Sequence, residues 1–324
     1  MANPTPTAVH IDAALTNLAI GMFQDTAGFV WDKIAPIVPV DKQSNKYWVF
    51  DNEYFMRNDM QLRPPATESA GTQFKVSTDS YFADVFAVHY DLDDQTAANA
   101  DFEMESKIVR LLTHQTHQRL DQDVITQLLT TSIWTTDQTG VSGAPSTNQF
   151  KQWNDPASTP DKDVRIQGDN IKLRSGKRPN VFACGAQTYT QLATNQTLLA
   201  RYQYVQGGYL DNAQIANALG VERVVVADAI KVTNAAGQAK ATSFNLGKVA
   251  WLGYVEPSPS MEAASAAYIF NWTGLENSTL SSAGPQIARI ENPLTRTVRF
   301  EAQIAYGIKK VSADLGVFFT AAVA

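Results

Sequence analysis

The chain has 324 residues, of which 44% are hydrophobic, and its formal net charge is -6 at pH 7. That length is enough for two compact domains with real cores. The acidic balance argues against a protein that grips nucleic acid through a general basic surface, which needs an excess of lysine and arginine. One cysteine, Cys184, excludes an intrachain disulfide framework and favours folding in the cytoplasm.

Targeting signals are not evident along the chain. The N-terminal sequence lacks a basic segment followed by a long apolar core, and no apolar run reaches transmembrane length. The sequence therefore predicts a soluble, unexported protein.

The first forty residues predict an arm, not a folded domain. Four prolines interrupt this segment, and its one amphipathic piece, 11–23, is too short to hold a core. After the arm, residues 47–50 and 74–88 alternate in the manner of paired strands. The stretch between them is polar, so we interpret the region as a long hairpin with a mobile tip. Loops of that length are uncommon in globular domains and tend to be functional or disordered.

Residues 101 to about 135 form the longest helical pattern. Its apolar positions follow one helical face: Met104, Ile108, Leu111, Leu112, Val124, Ile125, Leu128 and Leu129. At about 1.5 Å per residue the helix would span roughly 50 Å. Because its outer face is polar, we interpret it as a structural spine, with Leu128 and Leu129 directed to the core. The Gly- and Pro-rich stretch 140–160 is predicted to be a loop.

Residues 178 to 255 predict an ordered series of short elements. In chain order these are a buried strand at 181–183, a helix at 187–199, a helix capped by Asp211 and stopped by Gly220, a strand at 224–226, and a turn at 234–237. Further on, residues 256–292 match no element clearly. The C-terminal block 295–320 alternates at Val298, Phe300, Ala302 and Ile304 and predicts strands.

This order of elements, most specifically 178–255, resembles the axial domain of a tailed-phage major capsid protein of the Hong Kong 97-type fold. The resemblance implies an α+β chain. Its implied parts are an N-terminal arm at 1–45, an extended-loop hairpin at 46–90, a peripheral domain with a spine helix at 91–170, an axial domain at 171–290, and C-terminal strands at 291–324 that return to the peripheral domain. In that family the extended loop reaches over the neighbouring subunit.

The function implied by the resemblance is that of a head shell protein. Copies of the chain would assemble through hexamers and pentamers into an icosahedral virion capsid, built in the host cytoplasm, that encloses double-stranded DNA without reading its sequence. The implied partners are further copies, a portal protein and a separately encoded scaffolding protein, with a decoration protein left open and no membrane. The chain would be no enzyme and would hold no cofactor or metal.

Candidate contact residues lie in the hairpin. We predict that Glu53, Arg57 and Arg63 touch a neighbouring subunit, where the arginines could pair with carboxylates. Some members of the family crosslink subunits through lysine and asparagine with help from a glutamate. Suitable residue types are present near the loop (Lys46, Lys75, Asn52, Asn58 and Glu53), but residue type alone does not support that reaction.

Two other functions stay open on the sequence alone. An encapsulin-like nanocompartment shell would use the same fold, and an α/β enzyme would need a reactive site. His114, His117 and Asp121 share a helical face and could offer metal ligands, but no further motif completes the site, so we interpret them as a solvated polar face. Cys184 lies between small and apolar residues, which indicates a core thiol and not a nucleophile.

Overall fold

The computed structural model describes residues 25–50, 52–100, 103–202, 210–235, 237–260, 263–276, 278–282 and 284–324. The helices in these ranges are α1 Trp31–Ile34, α2 Asn52–Met56, α3 Asp94–Asn99, α4 Met104–Leu128, α5 Pro160–Ser175, α6 Ala186–Ala193, α7 Gln196–Tyr202 and α8 Asn212–Leu219. The strands are β1 Ile37–Val40, β2 Ser44–Phe50, β3 Val76–Phe82, β4 Asp84–Asp93, β5 Thr136–Val141, β6 Gln149–Lys151, β7 Val181–Gly185, β8 Arg223–Ala227, β9 Ile230–Val232, β10 Thr242–Phe244, β11 Ala250–Gly253, β12 Ala267–Trp272, β13 Leu280–Ser281, β14 Gly284–Pro285, β15 Ile287–Asn292, β16 Thr297–Lys310 and β17 Gly316–Thr320.

The first sheet is organised around β16, a strand of 14 residues. On one side β16 pairs antiparallel with the whole of β4, and on the other it pairs first with β15 and then with β12. β1 adds to β12 in parallel. The predicted alternation of β16 is present, because Phe300, Ala302 and Ile304 are all buried. Helix α4 packs against this strand, so the longest helix and the longest strand form one layered unit.

The second sheet has six strands in the order β6-β5-β17-β11-β7-β8. β17 lies near its centre, antiparallel to β11 and parallel to β5. The two C-terminal strands thus divide between the sheets: β16 packs against α4 in the first sheet, and β17 lies in the second. Val317, Phe318 and Phe319 are all buried, and a strand that is apolar on both faces needs a covered layer on each side. Phe318 packs in the core cluster that contains Leu128 of α4, and Val317 and Phe319 pack in a second core cluster on the other face.

The strands of neither sheet come from one continuous stretch of the sequence. β12, at residues 267–272, belongs to the first sheet although it lies within the predicted axial segment 171–290. Conversely, β5 and β6 belong to the second sheet although they precede residue 170. The chain crosses between the sheets several times, which local patterns could not indicate.

Helix α4 is shorter than predicted and ends at Leu128. There the Trp134 indole Nε1 donates to the Leu128 carbonyl oxygen at 2.7 Å, which satisfies an orphan acceptor of the last turn. Leu128 and Leu129 are buried, as predicted, whereas Leu111 is 37% exposed and lies on the outer side. With 25 residues the helix spans roughly 37 Å at about 1.5 Å per residue.

The 178–255 region follows the predicted order with one break. The predicted helix 187–199 is two helices, α6 and α7, because Asn195 caps the second one by accepting from the backbone N–H of Thr197 at 3.0 Å. The capping box of Asp211 and Gln214 at the start of α8 is present, and Gly220 adopts φ 78° at its end. Strands β7 and β8 lie side by side in parallel.

The chain enters the core at residue 28, after three exposed residues at the start of the described part. Phe29, Val30, Trp31 and Ile34 are each at most 2% exposed and pack between α4 and the second sheet. The predicted arm is thus anchored in the subunit from about residue 28. Its earlier part, including the amphipathic piece 11–23, lies outside the described residues.

Candidate functional site

The β2–β3 hairpin is anchored at its base and open at its tip. The two strands pair from Ser44 with Phe82 to Phe50 with Val76. On the inner face the rings of Tyr47 and Tyr81 lie 5.6 and 4.6 Å from that of Phe270. Tyr47 Oη donates to the Asp79 carboxylate at 2.9 Å, and burial together with that carboxylate raises the pKa of Tyr47. These contacts fix where the hairpin leaves the body.

Beyond its base the hairpin exposes large apolar side chains. Between residues 57 and 75 no helix or strand forms, and every residue from 60 to 75 is exposed. The exposed fractions along the hairpin are Trp48 67%, Phe55 67%, Met56 51%, Met60 92%, Leu62 95%, Phe74 65% and Phe82 55%. Large apolar patches exposed on soluble proteins mark interaction sites, which makes the hairpin the candidate interaction surface.

One contact of the tip with its own chain involves helix α2. The Met56 methyl group lies over Gly176, the residue in left-handed conformation that ends α5, so closely that a Cβ there would approach Met56 Cε to 2.8 Å. The rings of Phe55 and Phe74 lie 6.5 Å apart across the loop. The start of the tip therefore rests against the second sheet's layer, while Met60 and Leu62 project into solvent.

The predicted contact residues all lie on this loop. Glu53 is in α2, whereas Arg57 and Arg63 are in the irregular tip. Arg57 Nε is 3.7 Å from Asp59 Oδ1, and Arg63 Nε donates to the Thr67 carbonyl oxygen at 2.5 Å. Their role at a subunit boundary stays a prediction.

Sequence reasoning missed the apolar character of the tip. It described 51–80 as polar with few apolar anchors, yet the segment contains Phe55, Met56, Met60, Leu62 and Phe74. Their spacing follows no helical or strand period, so a search for periodicity passes over them. Simply counting large apolar residues in a loop predicted to be exposed would have found them.

The histidine face of α4 is buried, which corrects its interpretation as a solvated surface. Trp31 Nε1 donates to His117 Nδ1 at 3.2 Å, while Asp121 Oδ1 and Oδ2 accept from the Val30 N–H at 2.8 Å and from Asn245 Nδ2 at 2.7 Å. Asp121 is fully buried, and burial raises its pKa. The reason is that residues 28–34, distant in sequence, dock on this face of the helix.

This cluster does not resemble a metal centre. Both carboxylate oxygens of Asp121 and the Nδ1 atom of His117 accept from protein donors. The described residues contain no group of three or more histidine, cysteine or acidic side chains suited to a metal ion. Burial lowers the pKa of His114, whose ring meets Phe29 edge-on at 5.6 Å. The cluster is therefore a joint between the N-terminal segment, α4 and the loop that follows β10.

Cys184 is a core thiol, as predicted. It is fully buried in β7 and forms no disulfide. Burial raises the pKa of its thiol to about 12, and such a thiol is a poor nucleophile at neutral pH. Among the described helices, none combines the length and the apolar character that crossing a bilayer requires.

Known proteins similar in sequence are capsid proteins. The chain is 22% identical to the major capsid protein of Burkholderia phage BcepMu over 220 residues, 68% of this chain and 69% of that protein. It is 26% identical to the major capsid protein of Pseudomonas phage JBD67 over 231 residues, with the same shares covered. No family model matches the sequence.

Solved structures agree on the fold. A phage-related protein of Bordetella bronchiseptica RB50 superposes with a TM-score of 0.70 at 18% identity, covering 96% of this chain and 97% of that one. The capsid structure of cyanophage P-SCSP1u superposes with a TM-score of 0.59 at 10% identity, covering 90% and 88%. These findings confirm the predicted resemblance to tailed-phage major capsid proteins and the predicted Hong Kong 97-like fold.

Proposed function

We propose that this chain assembles with copies of itself, through hexamers and pentamers, into the icosahedral shell of a phage head that encloses double-stranded DNA. The observation that carries the proposal is the exposed apolar hairpin on a chain with a capsid fold. The encapsulin-like shell and the enzyme are not favoured, because the sequence relatives are phage capsid proteins.

The apolar area on the hairpin is large enough for a subunit contact. Its seven exposed apolar side chains together present on the order of 1,000 Å², since a large side chain of this kind offers about 150–250 Å². A stable protein interface buries about 800 Å² per partner. Covering the hairpin with a second copy would therefore supply a contact of ordinary size, and a closed shell repeats that contact many times.

The parts of the subunit take their roles from this proposal. The first sheet with α4 would be the peripheral domain, the second sheet with its helices the axial domain, and the β2–β3 hairpin the extended loop. The order of elements supports these roles. A net charge of -6 suits a shell that surrounds DNA without gripping it.

We extend the proposal to partners and place. Further copies are the main partner, with a portal protein and a separately encoded scaffolding protein at assembly, and the protein resides in the virion after assembly in the host cytoplasm. No catalytic role is proposed, because Cys184 is buried and the hydrogen bonds of His117 and Asp121 join parts of the fold.

Electron microscopy of the purified chain tests the proposal. The chain would be expressed alone and together with the product of a neighbouring scaffold gene, and then examined by negative stain and light scattering. We expect closed shells, or capsomers with five and six subunits. A stable monomer under every condition, scaffold included, contradicts the proposed function.

A further inference from the structure

We propose that residues 11–22 of each chain form an amphipathic helix that packs on the outer side of α4 in the same subunit. The docking surface is the face of α4 that runs from Ser106 to His114. The inference goes beyond the proposed function, because it concerns a contact within one chain and needs no second copy.

The docking surface is one wall of a groove beside the long helix. The opposite wall is formed by Asp25 and Thr26. The residues of α4 in the groove, here called the outer stripe, are Ser106, Val109, Arg110, Thr113 and His114. Because they recur every three or four positions, they share one helical face over about two turns, and side chains in such rows form the ridges on which a second helix packs.

The outer stripe can accept an apolar partner. Val109, at its middle, is 38% exposed, whereas the opposite side of α4 packs against β16. Burial lowers the pKa of His114, so the ring at the end of the stripe is uncharged at pH 7. The groove therefore offers an apolar side chain and a neutral ring at its centre and end, with polar groups around them.

The sequence just before the groove has the matching pattern. Its large apolar residues include a regular row at Ile11, Leu15, Leu18 and Met22. These positions are four, three and four residues apart, so in a helix all four side chains lie within an arc of about 60°. Residues 11–22 thus predict one narrow apolar face, which is the form that fits along a second helix.

The segment needs a surface on which to pack. A helix of about twelve residues is marginal on its own in water. No proline interrupts residues 11–22, and three alanines in it favour a helix. Burial of its apolar row on the outer stripe would supply the missing stabilisation, in the manner of an amphipathic helix that binds in a groove.

The occupant is the segment of the same chain, because the chain enters the described structure at this groove. Asp25 lies in the groove wall, and its side chain accepts from the Ala27 N–H at 3.1 Å. Met22 is three residues earlier, so the two lie at most about 10 Å apart. A tether this short gives an effective concentration on the order of millimolar, which favours the same chain over a neighbour.

Cysteine crosslinking within one chain tests the contact on the free subunit. Val109→Cys is combined in turn with Leu15→Cys, Leu18→Cys or Met22→Cys, which covers different registers of the two helices. Asn17→Cys with Val109→Cys is the matched control, because residue 17 lies away from the apolar row. The native Cys184 is buried and does not interfere.

We expect at least one of the three pairs to form an intrachain disulfide at about tenfold the yield of the control. Yields no higher than that of the control overturn the inference. Mixing chains that each carry one of the two cysteines tests the occupant. Interchain disulfides at the yield of the intrachain ones would assign the segment to a neighbour, and would also overturn the inference.

Cleavage by chymotrypsin gives a second readout. Val109→Asp places a charge on the outer stripe and should release the segment, so cleavage after Leu15, Leu18 or Phe23 should become about tenfold faster. Leu111→Asp is the matched control, because Leu111 is 37% exposed but lies on another face of α4. Equal cleavage rates in the two variants overturn the inference.

The proposed function is tested separately. Both readouts use the free subunit, so a chain that never forms particles would refute the proposed function and leave this inference standing. Particles that form normally from a chain without the crosslink would overturn this inference alone.

Discussion

Two segments that are rich in aromatic residues differ in burial. The segment around Phe29 and Trp31 is buried, and its N–H groups donate to His117 and Asp121 on α4. The β2–β3 hairpin buries Tyr47 and Tyr81 at its base but leaves seven large apolar side chains exposed to solvent. The first segment therefore stabilises the subunit, whereas the second is available to other subunits. Changes in the buried segment and its surroundings should affect folding, and changes in the hairpin should affect assembly.

The largest expected effect is that of a charge placed in the buried face of α4. Leu128→Asp should make the protein insoluble, because burying an unpaired carboxylate costs several kcal/mol. Leu111→Asp on the outer side of the same helix is the matched control and should stay soluble. The soluble fraction after expression measures both. Equal solubility of the two variants would break the distinction between the buried and exposed faces.

A smaller loss is expected at the joint of the N-terminal segment. Asp121→Ala leaves the Val30 N–H and the Asn245 amide without their acceptor, at about 1–3 kcal/mol for each buried group. Denaturant unfolding of the free subunit should therefore show a loss of roughly 2–6 kcal/mol. Asp84→Ala, at an exposed carboxylate, is the control and should change the free energy of unfolding little. A loss no greater than that of the control contradicts the account.

Exchanging His114 and His117 for glutamine should also destabilise the subunit. A solvated face would tolerate the change, but the His117 ring stacks on Phe29 at 5.7 Å and accepts from Trp31. The expected loss is about 1–3 kcal/mol. Zinc should not alter the melting temperature of the unchanged protein. A double variant as stable as the parent would restore the interpretation of a solvated face.

The stability of the subunit should depend on pH through Asp163, at the start of α5. Burial, with a smaller contribution from Asp161, raises the pKa of Asp163 to about 6. The native state therefore holds this proton more tightly than the unfolded chain. The stability contributed by the group is complete below the unfolded pKa, about 4, and is lost as pH rises to about 6. Asp163→Asn should raise the melting temperature at pH 7 and have little effect at pH 4. A variant no more stable at pH 7 contradicts that assignment.

The smallest effect on the subunit is expected in the hairpin. Arg63→Glu changes an exposed side chain and should alter the free energy of unfolding by no more than about 0.5 kcal/mol. The same change should lower the yield of particles, because it puts a like charge against an acidic neighbour. Lys240→Glu, an exposed charge reversal outside the hairpin, is the control. Equal particle yields from the two variants would remove Arg63 from the contact.

Local signals explain which elements the sequence could predict. The capping box of Asp211, the stop at Gly220 and the β-branched run 224–226 each depend on neighbours within a few residues, and the structure confirms them. The position of β17 and the burial of Asp121 depend on partners far away along the chain. A short apolar run is compatible with either sheet, and a polar helical face does not indicate what docks on it.

Only part of the candidate site could be predicted from the sequence. Its location in the hairpin followed from the length and composition of the loop, and the arginines lie where expected. The exposed apolar residues of the hairpin were missed because no helical or strand period connects them. In a loop, the count of large apolar residues indicates an exposed apolar surface better than a search for periodicity does.

Limited proteolysis of free subunits and assembled particles tests the central claim most directly. If a second copy covers the hairpin, trypsin should cut free subunits first after Arg57, because the bond after Arg63 leads into Pro64 and resists trypsin. In particles the bond after Arg57 should resist cleavage. Equal cleavage rates after Arg57 in free and assembled protein would show that assembly leaves the hairpin exposed, and would contradict the account.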